Sequence, residues 1–220
     1  MNIIVSEELK KACPHFIGAA VIATVENTPY SAELWEEIDK FIVEYRSIYT
    51  IDSIKDMPSI QATRKTYKIC GKDPSRYRPS GEALCRRILK GMELYQIDTM
   101  VDLVNLASIA YGYSIGGFDA DKIQGETVTL GIGKLGEPYE GRGRGQLNIE
   151  GLPVYRDKIG GIGTPTSDNE RTKMDLNTKH FMGIVNGYDG NRDEVIKCAE
   201  YIKQLISKYC KGSDFNIIEF

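Results

Sequence analysis

Residues 98–125, DTMVDLVNLASIAYGYSIGGFDADKIQG, decide more about the fold than any other stretch of the chain. The first half is apolar on almost every side of a helix, which is typical of a helix buried in a protein core. Gly112 predicts the end of this helix, because glycine readily adopts the left-handed conformation of a C-cap. Asp102 and Asn105 lie three positions apart and therefore on one face. Since buried polar groups need hydrogen-bond partners, this pair predicts either internal bonds or a polar pocket.

The composition is that of an ordinary globular protein. The 220 residues suffice for one large domain or two small ones with a substantial core. No apolar run reaches the roughly 18 residues of a membrane helix, and the N-terminus lacks the pattern of a secretory signal. The five cysteines are odd in number, widely spaced and without a Cys-x-x-Cys pair: Cys13, Cys70, Cys85, Cys198 and Cys210. We therefore expect reduced thiols in the cytoplasm, no membrane contact, and neither a disulfide framework nor a zinc site.

Hydrophobic periodicity divides the chain into a helical first half and a strand-rich second half. Fourteen of the 22 glycines fall between residues 112 and 163, where short strands and turns are expected. The predicted strands are 2–5, 16–25, 127–132 and 147–149, and the predicted helices are 31–48, 59–70, 80–90, the opening helix up to Gly112, and 191–212. Ser31, Ser80 and Asn191 are the expected N-caps. The simplest account is one α+β domain over residues 1–220, with helices mainly in the first half, mixed short strands in the second, and a C-terminal helix.

A second informative stretch is the glycine-rich segment GGIGTPTSDNERT at residues 160–172. Glycines let a backbone approach a ligand closely, and successive free N–H groups can hold an anion or a developing oxyanion. Short polar side chains follow, namely Thr164, Thr166, Ser167, Asp168 and Glu170. No Gly-Lys-Ser/Thr and no surrounding βαβ pattern are present, so neither a Walker loop nor a dinucleotide fingerprint is indicated, and no cofactor or metal is expected. An ordinary turn-rich loop is the alternative interpretation.

The charge is unevenly distributed along the chain. The net charge is −3, yet residues 64–90 hold nine basic side chains and only two acidic ones. The basic residues are Arg64, Lys65, Lys68, Lys72, Arg76, Arg78, Arg86, Arg87 and Lys90. Local positive charge attracts phosphate groups and predicts an RNA-binding surface, to which Arg142 and Arg144 could add. The alternative is a pair of solvated helices with long charged side chains.

These motifs, in this order, resemble the B3/B4 editing domain in the β subunit of bacterial phenylalanyl-tRNA synthetase. The matching segments are 80–89, the Val-Asp-x-x-Asn helix at 101–105, the Phe-Asp-x-Asp-Lys turn at 118–122, Gly160-Gly161, and 170–172. The resemblance is best from about residue 76 to residue 172. No adenylation motifs or anticodon-binding module would fit beside this domain in 220 residues. The chain therefore resembles the editing domain standing alone.

The resemblance implies that water hydrolyses a wrongly attached amino-acid ester on tRNA, without a covalent intermediate and without a cofactor. It implies a pocket built from Asn105, Gly116, Gly117, Gly160, Gly161, Thr164, Thr166, Ser167, Asp168 and Glu170. There we expect Asn105 to orient substrate or water, and the backbone of Gly160 and Gly161 to donate hydrogen bonds. Asp168 or Glu170 is the expected acid–base or amino-group partner. Aminoacylated tRNA is the expected partner molecule, with the basic segment 64–90 holding its acceptor stem.

Two other functions stay open on the sequence. Many family members have histidine where this chain has Gly116, which favours a non-catalytic tRNA- or RNA-binding module. A pocket adapted to a free amino acid or another small metabolite is the second alternative. Smaller features also have structural interpretations: Asp119, Asp121 and Lys122 as a turn cap or a surface ion pair, and His180 as a packed or capping side chain.

Overall fold

The computed structural model describes all 220 residues and confirms the predicted α+β class. Helices dominate the first half and short strands the second. In chain order the elements are β1 (Asn2–Val5), α1 (Glu7–Ala12), β2 (Ile17–Thr24), α2 (Ala32–Ile48), α3 (Pro58–Ile69), α4 (Ser80–Leu89), α5 (Thr99–Tyr111), β3 (Ile115–Asp119), β4 (Thr127–Ile132), β5 (Glu140–Gly141), β6 (Gly145–Gln146), β7 (Pro153–Arg156), β8 (Gly161–Gly163), β9 (His180–Gly187), α6 (Arg192–Tyr209) and β10 (Ser213–Glu219).

The strands form two four-stranded sheets and one small hairpin. The first sheet has the order β1-β4-β7-β8, the second has the order β10-β2-β9-β3, and β5 pairs with β6. All pairings are antiparallel except that of β1 with β4. The longest ladder joins β2 to β9 and runs without a break from Ile17 opposite Gly187 to Thr24 opposite His180. These two strands are therefore the centre of the fold.

The second sheet separates two hydrophobic cores. Side chains alternate between the faces of a strand, so β2 sends Ala19, Val21 and Ala23 toward the helices and Ala20 toward the first sheet. A strand buried on both faces reads as one continuous apolar run, which is why residues 16–25 are hydrophobic without alternation. The molecule is thus built in three layers: helices, second sheet and first sheet.

Helix α5 has the local signals that the sequence predicted. The Asp98 side chain caps its N-terminus by accepting a hydrogen bond from Val101 N at 2.9 Å. Gly112 ends it in the left-handed conformation, with φ 69°. Between these caps most of its residues are buried, and the helix packs against α4, α6 and β3. Its position beside β3 brings one side of the helix to the candidate site described below.

Three details differ from the sequence-based prediction. Ser80 is the first helical residue and not the N-cap; that position belongs to Pro79, which has no capping side chain. Residues 147–149 form no strand. The apolar side chain of Ile149 instead fills a small core under a loop. After the C-terminal helix α6, which is confirmed, the chain adds β10 as an edge strand of the second sheet. None of the helices combines the length and the hydrophobicity needed to cross a membrane.

Candidate active site

A cleft of about 420 Å³ opens between α4, α5, β3 and two turns of the second half, residues 142–144 and 164–168. Six of the residues predicted to form a pocket line it: Asn105, Gly117, Thr164, Thr166, Ser167 and Asp168. Two segments about sixty positions apart in the chain therefore share one cavity. The remaining walls are mostly apolar, with Leu84 from α4 and Val101 and Val104 from α5 among them.

The two polar residues of α5 have different surroundings. Asp102 is buried, and its carboxylate accepts hydrogen bonds from Trp35 Nε1 at 2.9 Å and from Ile97 N at 3.0 Å. Burial raises the pKa of Asp102 to about 6, although these two bonds act in the opposite direction. Asn105 is half-buried and lines the cleft, and its side-chain amide makes no hydrogen bond within the protein. Asp102 thus anchors the segment before α5, whereas Asn105 is available to a ligand.

The turn 164–168 is shaped by its own threonine hydroxyls. Thr164 Oγ1 accepts from Thr166 N at 3.2 Å and from Ser167 N at 3.0 Å, and donates to the Ser167 carbonyl. Thr166 Oγ1 donates to the Tyr77 carbonyl at 3.0 Å and is bonded to the Tyr67 hydroxyl at 2.9 Å. Both hydroxyls are therefore occupied, and these threonines contribute shape to the cleft more than free hydrogen-bonding groups.

Asp168 is the acidic group of the cleft. It forms an antiparallel bridge with Gly163, and its Oδ2 accepts a hydrogen bond from Gly117 N at 3.2 Å. Oδ1 receives no hydrogen bond from the protein. Burial raises the pKa of Asp168 to about 7, more than the bond from Gly117 and the positive charge of Arg142 lower it. A carboxyl group that titrates near neutrality inside a cleft is suited to proton transfer.

Gly116, predicted to bind substrate, does not line the cleft. A Cβ atom at this position would lie 2.7 Å from the Phe118 ring and 3.4 Å from Asp168 Oδ1. Phe118 is fully buried in the core between the two sheets and cannot easily move aside. Position 116 therefore has no room for a histidine, the residue that the resemblance implied there, and the Asp168 carboxyl lies next to it.

Gly160, Gly161 and Glu170 also lie outside the cleft. Gly160 N already donates to Asp157 Oδ1 at 3.1 Å, and Gly161 sits in β8 against the Tyr139 ring. Glu170 is paired with Lys173 on the surface, and the hydrogen bond from that lysine lowers its pKa. The glycine pair belongs to a turn held by Asp157. The sequence could not separate this turn from the one that forms the cleft, since both are rich in glycine and polar residues.

The basic segment lies mainly on the other side of α4. Ser80 and Leu84 face the cleft, whereas Glu82 and Arg86 face a groove between α3 and α4 of about 310 Å³. This basic groove also contains Lys55, Arg64, Lys65 and Lys68. The fully buried Glu82 side chain binds Arg64 at 2.9 Å and Arg86 at 2.7 Å, with Arg78 at 3.8 Å. Part of the predicted positive surface is therefore neutralised by a single carboxylate.

The other members of the basic segment divide into structural and exposed side chains. Lys72 is buried, donates to the Asn148 carbonyl at 2.8 Å and lies over the Tyr77 ring. Burial lowers the pKa of Lys72. Arg87 stacks on Tyr95, at the edge of the cleft. The exposed basic residues are Lys65, Lys68, Arg76, Arg78 and Lys90.

The polar residues of the turn 118–122 form the turn cap and the ion pair that their structural interpretation predicted. Asp119 accepts from Asp121 N at 3.2 Å and from Thr178 Oγ1 at 3.1 Å, while Lys122 binds the carboxylates of Asp119 and Asp175. His180 is exposed and paired with Asp121 at 2.8 Å, so its prediction as a packed or capping residue was wrong. No group of three or more histidine, cysteine or acidic residues is arranged to hold a metal ion.

Four further residues line the cleft that the sequence did not predict as pocket residues. Tyr95 and Ile97, just before α5, line it, as do Arg142 and Arg144 of the turn between β5 and β6. The sequence indicates the two arginines only as additional phosphate-binding groups, and does not place them at this pocket. The only signal for Tyr95 in the sequence is its position in the connection between two predicted helices, where an aromatic side chain does not belong to the apolar face of either helix.

Comparison with known proteins agrees with this architecture. The sequence model of the B3/4 domain matches residues 62–211, well over half of the chain, and the protein therefore belongs to the B3/4 domain family. The match is wider than the core of residues 76–172 expected from motifs, and it includes α6. No curated protein matches the chain.

A solved structure shares the fold over nearly the whole chain. It is the N-terminal fragment of the phenylalanyl-tRNA synthetase β-subunit from Pyrococcus horikoshii, with a TM-score of 0.54 and 14% sequence identity. The similarity covers 99% of this chain and 53% of the other, so this chain spans about half the length of that fragment. At this identity the likeness concerns the fold alone.

Proposed function

We propose that this protein is a trans-acting hydrolase that removes a wrongly attached amino acid from tRNA. The observation that carries the proposal is the meeting of Asn105 and Asp168 in one cleft with apolar walls. A carboxyl with a pKa of about 7 can act as a general base toward water, and a free side-chain amide can donate a hydrogen bond to the oxyanion, so together they suit the hydrolysis of an ester. Membership of the B3/4 domain family and the likeness in fold to a tRNA synthetase subunit support RNA as the carrier of the ester.

In the proposed reaction Asp168, in its ionised form, takes a proton from a water molecule that attacks the ester carbonyl. The Asn105 amide donates a hydrogen bond to the oxygen that becomes negative. The bond between the acyl carbon and the ribose oxygen breaks, and the proton returns from Asp168 to that oxygen. The products are a free amino acid and tRNA with an unmodified terminal ribose. Glu170 has no part in this scheme, because it is paired with Lys173 at the surface.

The shape of the cleft limits the amino acid. Leu84, Val104 and Ile115 contribute apolar walls, so an apolar or aromatic side chain gains the most from burial there. The exposed basic residues Lys65 and Lys68 are available for more distant phosphates of the tRNA. A reaction on charged tRNA would take place in the cytoplasm.

The test is hydrolysis of tRNA charged with tyrosine, phenylalanine and several other amino acids. The protein should accelerate the loss of at least one of them, and Asn105→Ala should slow this by about a hundredfold. Asn177→Ala is a matched control, because Asn177 is exposed and its side chain makes no hydrogen bond. If no charged tRNA is hydrolysed faster than in buffer alone, the hydrolase proposal is wrong.

A second candidate function is favoured by one further observation. Arg142, which forms no ion pair, and the Asp168 carboxyl face the same cleft. A basic and an acidic side chain in one cleft suit the carboxylate and ammonium groups of a free amino acid. A binder should show a higher melting temperature with its amino acid, since a ligand of the native state stabilises it, and no turnover of charged tRNA.

A further inference from the structure

The entrance of the cleft has an exposed aromatic side. Tyr95 and Ile97 remain 64% and 48% exposed although they belong to an ordered segment between α4 and α5. The Arg87 guanidinium lies 3.8 Å from the centroid of the Tyr95 ring, and its Nε donates to the Glu93 carbonyl. The ring is therefore held in place while much of its surface stays open to solvent.

Two backbone hydrogen bonds fix the segment that carries Tyr95. Ile97 N donates to the buried Asp102 carboxylate at 3.0 Å, and Thr99 N donates to the Thr28 carbonyl at 2.9 Å. Because the backbone on one side of Tyr95 is bonded to α5, the ring has a defined position at the cleft. Tyr95 and Ile97 continue the apolar wall of the cleft out to the solvent, and a contiguous exposed apolar surface of this kind marks a ligand-binding groove.

Another part of the cleft lining is positively charged. Arg142 and Arg144 extend from the hairpin turn between β5 and β6, and both line the cleft. Neither guanidinium group forms an ion pair or a hydrogen bond within the protein, in contrast to Arg64 and Arg86 of the basic groove. An unpaired arginine is well suited to a phosphate group, which its planar donors contact in pairs.

We infer that this entrance binds the terminal nucleotide of a single-stranded RNA end, with the base stacked on Tyr95 and the adjoining phosphate held by Arg142 and Arg144. Stacking on an aromatic ring with charge contacts alongside is the common mode of single-strand recognition. The inference rests on the proposed function, because the nucleotide bound here is the one that would carry the ester toward Asp168.

The same geometry assigns different parts of the RNA to the two basic surfaces. The basic groove and the cleft lie on opposite sides of α4, and a helix with its side chains is about 10 Å wide. A nucleotide whose ribose is next to Asp168 therefore has its own base at the entrance and not in the groove. Lys65 and Lys68 can reach only phosphates further along the chain.

The experiment is binding of a short fluorescein-labelled single-stranded RNA that ends in adenosine, measured by anisotropy over a range of salt concentrations. Tyr95→Ala should weaken binding about tenfold, and Tyr95→Phe should retain it, because the ring and not the hydroxyl is required. Replacing both Arg142 and Arg144 by glutamine should weaken binding and reduce the slope of log affinity against log salt by about 0.7 for each phosphate that is no longer neutralised.

Two matched controls define the result. Tyr30→Ala removes another exposed tyrosine, one outside the cleft, and Lys11→Gln with Lys40→Gln removes two exposed charges outside both basic surfaces. Neither should change binding by more than about twofold. If wild-type protein does not bind the RNA, or if Tyr95→Ala and the double arginine variant bind as tightly as wild type, the inference is overturned.

The outcome separates this inference from the proposed function. Lower RNA affinity of the Tyr95→Ala variant, without hydrolysis of any charged tRNA by wild type, would support the nucleotide site and reject the hydrolase. Hydrolysis that proceeds equally fast in wild type and in the entrance variants would reject the nucleotide site and leave the hydrolase standing.

Discussion

Asp157 and Asp168 belong to two neighbouring turns of the strand-rich half, but their carboxyl groups have opposite surroundings. The Asp157 side chain is fully buried and accepts hydrogen bonds from both terminal nitrogens of Arg171 and from the backbone N–H groups of Gln124, Ile159 and Gly160. Burial alone would raise its pKa, but the hydrogen bonds hold the pKa of Asp157 below its usual value. Asp168 has one backbone donor, and its pKa rises to about 7.

The different numbers of hydrogen-bond donors separate a carboxylate that stays ionised and holds structure from a carboxyl group that can titrate. A buried charge that is surrounded by donors stabilises the ionised form and fixes the local backbone. A half-buried carboxyl with a single hydrogen-bond donor is less stable in its ionised form, and it can exchange a proton at neutral pH. Asp157 therefore supports the fold of its turn, whereas Asp168 is the candidate catalytic group.

The largest expected effect is on hydrolysis. Asp168→Asn keeps the acceptor for Gly117 N but removes the base, so the hydrolysis rate should fall by about a thousandfold. In wild type the rate should rise about tenfold per pH unit up to roughly pH 7 and then level off, because Asp168 must be ionised to accept a proton. Single-turnover rates at several pH values measure both. A variant as active as wild type would remove Asp168 from the mechanism.

The next effect concerns stability. Asp157→Ala leaves the Arg171 guanidinium without its carboxylate and frees three backbone N–H groups, and should reduce the free energy of unfolding by about 3 kcal/mol. Because Arg171 is partly exposed, this loss of stability is at the low end of the range for buried ion pairs that lose one partner. Urea denaturation of this variant beside Asp168→Asn makes the comparison direct. Equal stabilities of the two variants would contradict the structural role given to Asp157.

The pH dependence of stability should also separate Asp168 from Asp157. The pKa of Asp168 is raised from 3.8 to about 7, so the folded protein holds a proton that the unfolded chain has lost. Wild type should therefore lose stability relative to Asp168→Asn as the pH rises between these values, and the difference should be constant above pH 7. Over this pH range the free energy of unfolding of wild type, relative to Asp168→Asn, should fall by about 2 kcal/mol. This is less than the full pKa shift implies, because the carboxyl borders an open cleft. A difference that does not change with pH would show that the carboxyl ionises normally in the folded state.

The smallest effect extends the comparison to two buried tyrosines. The Tyr155 hydroxyl donates to Asn186 Oδ1 at 2.8 Å, whereas the buried Tyr188 hydroxyl has no hydrogen-bond partner. Tyr155→Phe should destabilise the protein by about 1 kcal/mol, and Tyr188→Phe should leave it unchanged or stabilise it by up to about 1 kcal/mol. Thermal and urea unfolding of both variants measure the sign. Equal losses in the two variants would mean that the Tyr188 hydroxyl has an unseen partner.

Local signals in the sequence were sufficient for most of the fold. The caps and periodicity of α5, the helix from Ala32 and the helix from Arg192 were predictable, because each depends on neighbouring residues within a few turns. The motif order was enough to indicate the B3/4 family. Strand 147–149 was predicted wrongly, since an apolar residue under a loop and one in a strand have the same composition.

The cleft itself was only partly predictable. Asn105 and the segment 164–168 were identified as pocket residues, and the structure brings them together. Gly160, Gly161 and Glu170 were grouped with them because they are close in sequence. Gly160 is bonded to Asp157 and Glu170 is paired with Lys173, and these contacts keep both residues outside the cleft. The contacts form only when the chain after β7 has folded.

The sequence by itself determined the helices, their ends, the family and the residue types that a polar cleft would need. Only the tertiary structure decided that Asp168 and not Glu170 shares the cleft with Asn105, that Phe118 fills the space at Gly116, and that α4 separates the basic groove from the cleft. The physical reason is range: propensity and capping act between neighbours in the chain, whereas burial and charge depend on every residue that packs nearby.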